Sequence, residues 1–246
     1  MTKTKAEIIF ELQKELLPLQ GFKHSLGIGA VDTGLGPIRY SFPNATFPVG
    51  AMHEFICTGP EDGAATAGFI SGILSSLMRN GGVSLWISSS QTIFAPSFTH
   101  FGIAPDKIIF VNVAKERDVL WCIEEALKCD GLASVIGEIN ELSFTASRRF
   151  QLAVEQNRVT GFIIRNKPHN LATTACIARW KISSLPSIRV NDMPGIGFPR
   201  WNVELIKVRN GKTGCWQVEW MGRKFRHVNH IVPFIREVPL VNKLIS

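Results

Sequence analysis

Residues 59–66 (GPEDGAAT) carry the glycine spacing of a loop that binds phosphate, with one residue out of place. Such a loop, Gly-x-x-x-x-Gly-Lys-Ser/Thr, curls backbone N–H groups around the phosphates while its lysine reaches the β and γ oxygens. Counted from Gly59 through Pro60, Glu61 and Gly63, the residues Ala64, Ala65 and Thr66 stand where Gly, Lys and Thr belong. No lysine occurs from residue 24 to residue 106, and the cations of that stretch, Arg39 and Arg79, are outnumbered by Asp32, Glu54, Glu61, Asp62 and Asp106. This is the frame of an ATP site without the charge that grips ATP. An ordinary glycine-rich strand-to-helix turn is the plainer reading of the same residues.

Other groups offer less. The five cysteines (Cys57, Cys122, Cys129, Cys176, Cys215) form no C-x-x-C pair and read as reduced core residues. His227 and His230 have no cysteine or carboxylate partner at zinc spacing, so no metal site is expected. Gly27-x-Gly29 does not follow a strand, and Gly195-x-Gly197 lies among prolines, so neither supports a dinucleotide site.

The elements that must position the loop alternate. Residues 50–58 read as a strand, 65–79 as a helix of small residues and 83–88 as a buried strand. A strand over 107–113, a helix over 116–128, a strand over 131–136 and a helix over 145–157 follow. Strands at 160–165, 177–183, 201–208 and 216–220 complete the chain, with a hairpin at Asn210-Gly211. Helices interleave with strands first and strands dominate later. The fold class is therefore α/β, with a mixed sheet that becomes antiparallel toward the C-terminus.

Across residues 30–228 this series resembles the RecA-type recombinase core, a P-loop NTPase-type fold. Gly59-Pro60-Glu61 is similar to the RecA loop opening, residues 101–111 (FGIAPDKIIFV) to its helix-turn-strand, 124–127 (EEAL) to its next helix, and 172–180 (ATTACIARW) to the segment after its second DNA loop. More narrowly, residues 48–55 (PVGAMHEF), 85–88 (LWIS), 120–127 (LWCIEEAL), 147–155 (SRRFQLAVE) and 197–211 (GFPRWNVELIKVRNG) resemble, in collinear order, the ImuA family of bacterial error-prone-repair accessory proteins.

The resemblance implies a non-catalytic accessory factor in damage-induced (SOS) mutagenesis and translesion DNA synthesis, a pseudo-ATPase of the DNA damage response. Its implied partners are an ImuB-type Y-family pseudo-polymerase, an error-prone DnaE-type polymerase, RecA and single-stranded DNA. The departures from RecA point the same way. Ser88-Ser89-Ser90 stands where the water-orienting glutamate belongs, and the strand that should end in a metal-holding carboxylate ends in Gly137. Glu138 follows; it could substitute for that carboxylate, but the favoured reading is a solvated turn residue. Phosphoryl transfer depends on positioning and charge neutralisation, so no catalytic residue and no cofactor is assigned, and the charge inventory speaks against ATP. Two alternatives stay open: a weak or partner-completed ATPase in which residues 59–66 still cradle phosphates and Thr66 holds Mg²⁺, and a single-stranded-DNA-binding protein.

Charge and hydropathy set the remaining expectations. Residues 145–226 hold fifteen Lys/Arg against four acids, a local balance of +11, so the rest of a chain with net charge +7 carries −4. A one-sided basic region is an electrostatic footprint for polyanions. Arg165, Lys167, His169 and Asn170 leave a strand in the place of the RecA-type DNA-binding loop and are the candidate DNA contacts. By the same resemblance, Lys207 and Arg209 fall on the strand that reaches across a RecA filament interface to a neighbour's nucleotide. The six tryptophans, Trp121 included, read as core, with Trp216, Val218 and Trp220 on one strand face. No apolar run approaches the roughly 20 residues of a membrane helix, and a polar N-terminus without a signal region gives a cytoplasmic expectation. Residues 1–22 are read as an N-terminal unit whose amphipathic helix over 4–17 docks on a neighbour or folds back on the core, residues 30–228 as the core, and 229–246 as an apolar tail that packs along the core or docks on a partner.

Overall fold

The computed structural model describes residues 4–5, 11–12, 32–90, 93–187 and 197–228. Lys5, Glu11 and Leu12 are helical; the rest of the 4–17 helix and the 229–246 tail lie outside the described residues. Among the described residues nine strands form a single sheet: β1 (Met52–Cys57), β2 (Val83–Ser88), β3 (Ile108–Asn112), β4 (Leu132–Ile139), β5 (Thr160–Asn166), β6 (Ala178–Leu185), β7 (Arg200–Val208), β8 (Gly214–Met221) and β9 (Lys224–His227). Their spatial order is β3-β2-β4-β5-β1-β6-β7-β8-β9. Pairing is parallel from β3 through β6 and antiparallel from β6 to β9, as the alternation of elements requires.

Among the described residues the α-helices α1 (Pro60–Leu77), α2 (Glu116–Leu127) and α3 (Phe144–Asn157) cover the two faces. Helix α1 packs on β1, β5 and β6, and α2 and α3 pack on the opposite face against β4, β2 and β1. Because side chains alternate across a strand, each buried strand feeds both cores. Ile136, Phe162 and Phe55 join α1 in one, and Val135, Ile163 and Met52 join α2 and α3 in the other. The small residues of α1 have a packing cause. A Cβ on Gly72 would lie 2.4 Å from Cζ of Phe225, and one on Gly68 would lie 3.0 Å from Trp201. Their bare backbone lets the antiparallel strands lay Trp201, Trp220 and Phe225 directly on the helix, around its own Phe69.

Sequence and structure differ in identifiable places. Strand β9 was not expected; it follows a two-residue turn at Gly222 and Arg223, both at positive φ (62° and 58°), the geometry that tightly twisted hairpins use. Trp121 is 62% exposed on α2 rather than buried, and Cys129 and Cys215 are exposed, while Cys57 and Cys176 are core residues as expected. The Asn210 hairpin and the shared face of Trp216, Val218 and Trp220 stand as read. Among the described residues no helix is long and apolar enough to cross a membrane, and no group of three potential ligands could hold a metal.

Candidate functional site

The glycine-spaced segment does not form a phosphate loop. Strand β1 ends at Cys57, and after Thr58 and Gly59 the helix begins at Pro60. Proline suits a first helical position because its fixed φ is already helical and no N–H is needed there. Gly63, Ala64, Ala65 and Thr66 are therefore helical residues, and the Gly63 N–H donates to the Gly59 carbonyl in an ordinary first turn. Asp62 reaches back from the third helical position and accepts from the Thr58 N–H at 3.0 Å and from the Thr58 hydroxyl. An acidic side chain thus occupies the positive end of the helix, the place where this architecture would put a phosphate. Ala65 and Thr66 are buried, and the Thr66 hydroxyl accepts from the Cys57 thiol at 3.4 Å rather than facing a metal. Burial pushes that thiol up to about 11, so it stays protonated and unreactive.

A cleft of about 760 Å³ opens beside this helix start, outside the carboxyl ends of β1, β4 and β5. Open α/β sheets bind ligands at such a place. Gly59, Pro60 and Ala64 form one wall, Ile93 and Ile164 an apolar part, and Ser90, Glu138, Asn140 and Asn166 the polar part. Glu138 is not the solvated turn residue expected from sequence. It lies within β4, half-buried, with Oε1 accepting from the Trp86 indole N–H at 2.6 Å and Oε2 3.5 Å from the Asn166 amide nitrogen. Burial raises its carboxyl above the usual range, opposed by those two hydrogen bonds. Strand parity explains the misreading: residue 138 shares the α1 face with Ile136, whereas residue 137 faces α2, where a Cβ would lie 2.2 Å from Ile123 Cδ1. Glycine at 137 makes room for that isoleucine.

The candidate DNA-contacting loop is divided by the structure. Lys167 and His169 are exposed at the cleft rim. Arg165 is completely buried and cannot meet DNA: its guanidinium pairs with Glu54 at 2.8 Å and with Glu141 at 2.7 Å, and donates to the Asn170 carbonyl at 2.7 Å. Glu54, also fully buried, uses its other oxygen for Arg179 at 2.9 Å and the Thr174 hydroxyl at 2.8 Å. Arg179 then donates to the Ala172 carbonyl at 2.6 Å. Two carboxylates and two guanidiniums on the α3 side of β1, β5 and β6 thus hold the segment between β5 and β6 by its own carbonyls. The backbone N–H of His169 holds the Glu141 carboxyl below the usual range, aided by Arg165.

Lys207 and Arg209 belong to this same side, since Lys207 is the register partner of Arg179. Both are half-buried and turn inward, Arg209 donating to the Ala175 carbonyl at 2.8 Å and Lys207 to that of Thr174 at 3.5 Å. The structure therefore does not bring them to the cleft. What sequence reading missed was the pairing of Glu54 with Arg165 and Arg179. A signal existed, because a charge inside an apolar strand run must find a partner when buried.

No family model matches the chain. It is 33% identical over 187 residues to Protein ImuA of Caulobacter vibrioides strain NA1000, covering 71% of this chain and 77% of that one, and a second strain of the same organism gives the same figures. Among solved structures it is similar to the RadB recombinase, with a TM-score of 0.55 at 12% identity over 80% of this chain and 99% of that one. This likeness concerns the fold, which is RecA-like.

Proposed function

The chain belongs to the ImuA family, and on that premise we propose that it is a non-catalytic, cytoplasmic accessory factor of damage-induced, error-prone translesion synthesis. Its work is to bind proteins, an ImuB-type pseudo-polymerase and through it a DnaE-type polymerase, together with RecA. The observation that carries the non-catalytic part is the start of α1, where Asp62 caps Thr58 in the place a phosphate would occupy. Supporting it, Thr66 is buried against Cys57, and Glu138 contributes negative charge to the cleft beside the turn. A triphosphate entering there would meet carboxylates and helix where phosphoryl transfer needs fixed cations.

The test is a salt series on the full chain with each partner and with single-stranded DNA. Binding to the ImuB-type protein should persist from low to moderate salt, because an apolar or shape-fitted interface releases few counterions. Affinity for DNA should fall steeply over the same range. Tight DNA binding with no partner binding would favour the single-stranded-DNA reading instead. ATP turnover appearing only in the presence of a partner would favour the partner-completed ATPase.

A further inference from the structure

We propose that the cleft at the carboxyl ends of β1, β4 and β5 is a binding site for a guanidinium group on an aliphatic stem, received by Glu138, Asn140, Asn166 and Ser90. This goes beyond the accessory role and does not depend on it. Glu138 has no cationic partner within ion-pair distance among the described residues, unlike the buried acid Glu54. Its carboxylate is nonetheless held in place by Trp86 and Asn166, and a second cavity of about 220 Å³ is lined by the same Glu138, Asn140, Asn166 and Ser90. Those four residues thus line both cavities. They present one charged acceptor and three neutral groups with acceptor oxygens.

Charge selects among ligands. A phosphate would face Glu138 and the Asp62-capped helix. A divalent metal would find one carboxylate in the cleft and two, Glu116 and Glu138, in the smaller cavity, and no group of three ligands exists among the described residues. An organic cation is the remaining match, and a guanidinium matches best. It offers five donors in a planar fork to acceptors spread over several side chains, and it gives up its hydration more readily than an ammonium. Ala64, Ala67, Ile93 and Ile164 provide an apolar wall for the stem. Lys167 and His169 are exposed at the rim, where solvent and salt screen their charge. Burial raises the Glu138 carboxyl, and an entering cation would oppose that shift by favouring the carboxylate.

One experiment separates two sources of that group, a free small guanidinium and an arginine side chain of another protein. The full chain, nitrogen-labelled, is titrated with n-butylguanidinium while the Trp86 indole N–H resonance is followed, assigned by its loss in Trp86→Phe. The expected result is a saturable shift at millimolar concentration, at least about tenfold weaker with the neutral isostere n-butylurea and in Glu138→Gln, since a charged hydrogen bond is lost. If Nα-acetyl-arginine N-methylamide shifts the same resonance, the cleft takes a protein arginine; if it is excluded while n-butylguanidinium binds, the cleft takes a small cation. No saturable shift, or equal affinity for n-butylurea, overturns the proposal. The urea comparison uses the unmodified chain, so it decides even if Glu138→Gln fails to fold.

Discussion

Glu54→Gln tests the buried ion pairs at their centre. The substitution keeps shape but removes the charge shared by Arg165 at 2.8 Å and Arg179 at 2.9 Å, and it turns one acceptor oxygen into an N–H₂ donor facing other donors. Breaking a buried pair by removing one partner costs about 3–5 kcal/mol. Arg165 keeps Glu141, whose side chain is 45% exposed, so the lower end, about 3 kcal/mol, is expected. At roughly 2–4 °C per kcal/mol for a chain of this size, the melting temperature falls by roughly 6–12 °C. Urea unfolding at neutral pH measures the loss, and hydrogen exchange localises it, because the amides of residues 170–174 should exchange faster once their carbonyl anchors are weakened. Arg165→Met added to Glu54→Gln should cost less than the sum of the two singles, since they share one interaction. A loss below about 1 kcal/mol, with unchanged exchange in that segment, would refute the claim that the pairs hold it.

Two further outcomes follow from the core. His53 is buried and neutral: Nε2 lies 2.8 Å from the Pro48 carbonyl, Nδ1 faces the Trp180 indole N–H at 3.4 Å, and burial lowers its pKa from 6.5 to about 4. The unfolded chain therefore binds the proton first, so stability is complete above the unfolded pKa of 6.5 and falls as pH drops toward 4, by about 3 kcal/mol in all. Urea midpoints across that window, compared with His53→Gln, measure it. Gly137→Ala would place Cβ 2.2 Å from Ile123 Cδ1 and should destabilise by about 1–3 kcal/mol. Ile123→Val in the same chain, which removes that atom, should recover part of the loss in the same unfolding experiment.

The parallel half of the sheet was legible because its strands are apolar runs separated by helices, and the antiparallel half because it is strands alone. The reading failed where spacing was trusted over conformation. Glycine count offered residues 59–66 as a loop beside the plainer strand-to-helix turn, and the turn is what forms, since Pro60 followed by Glu61 and Asp62 is a helix start by composition. It failed again where parity decides: Glu138, one residue past Gly137, is on the cleft face, and no residue type records that. The pairing of Glu54 with Arg165 spans 111 positions, which local pattern cannot reach. Yet the glutamate in MHEFIC and the arginines in TGFIIRN and ARWKISSL are charges within buried strands. Neutralisation between them was inferable from that fact alone.

Calorimetric titration of the full chain with ATP and Mg²⁺, repeated with Ala65→Lys, shows whether the start of α1 has a place for a phosphate. No saturable heat is expected in either case. Position 65 is buried within the helix, so the lysine would destabilise the fold instead of reaching a phosphate. Saturable binding of ATP by the unmodified chain, or its appearance on restoring the lysine, would contradict that expectation.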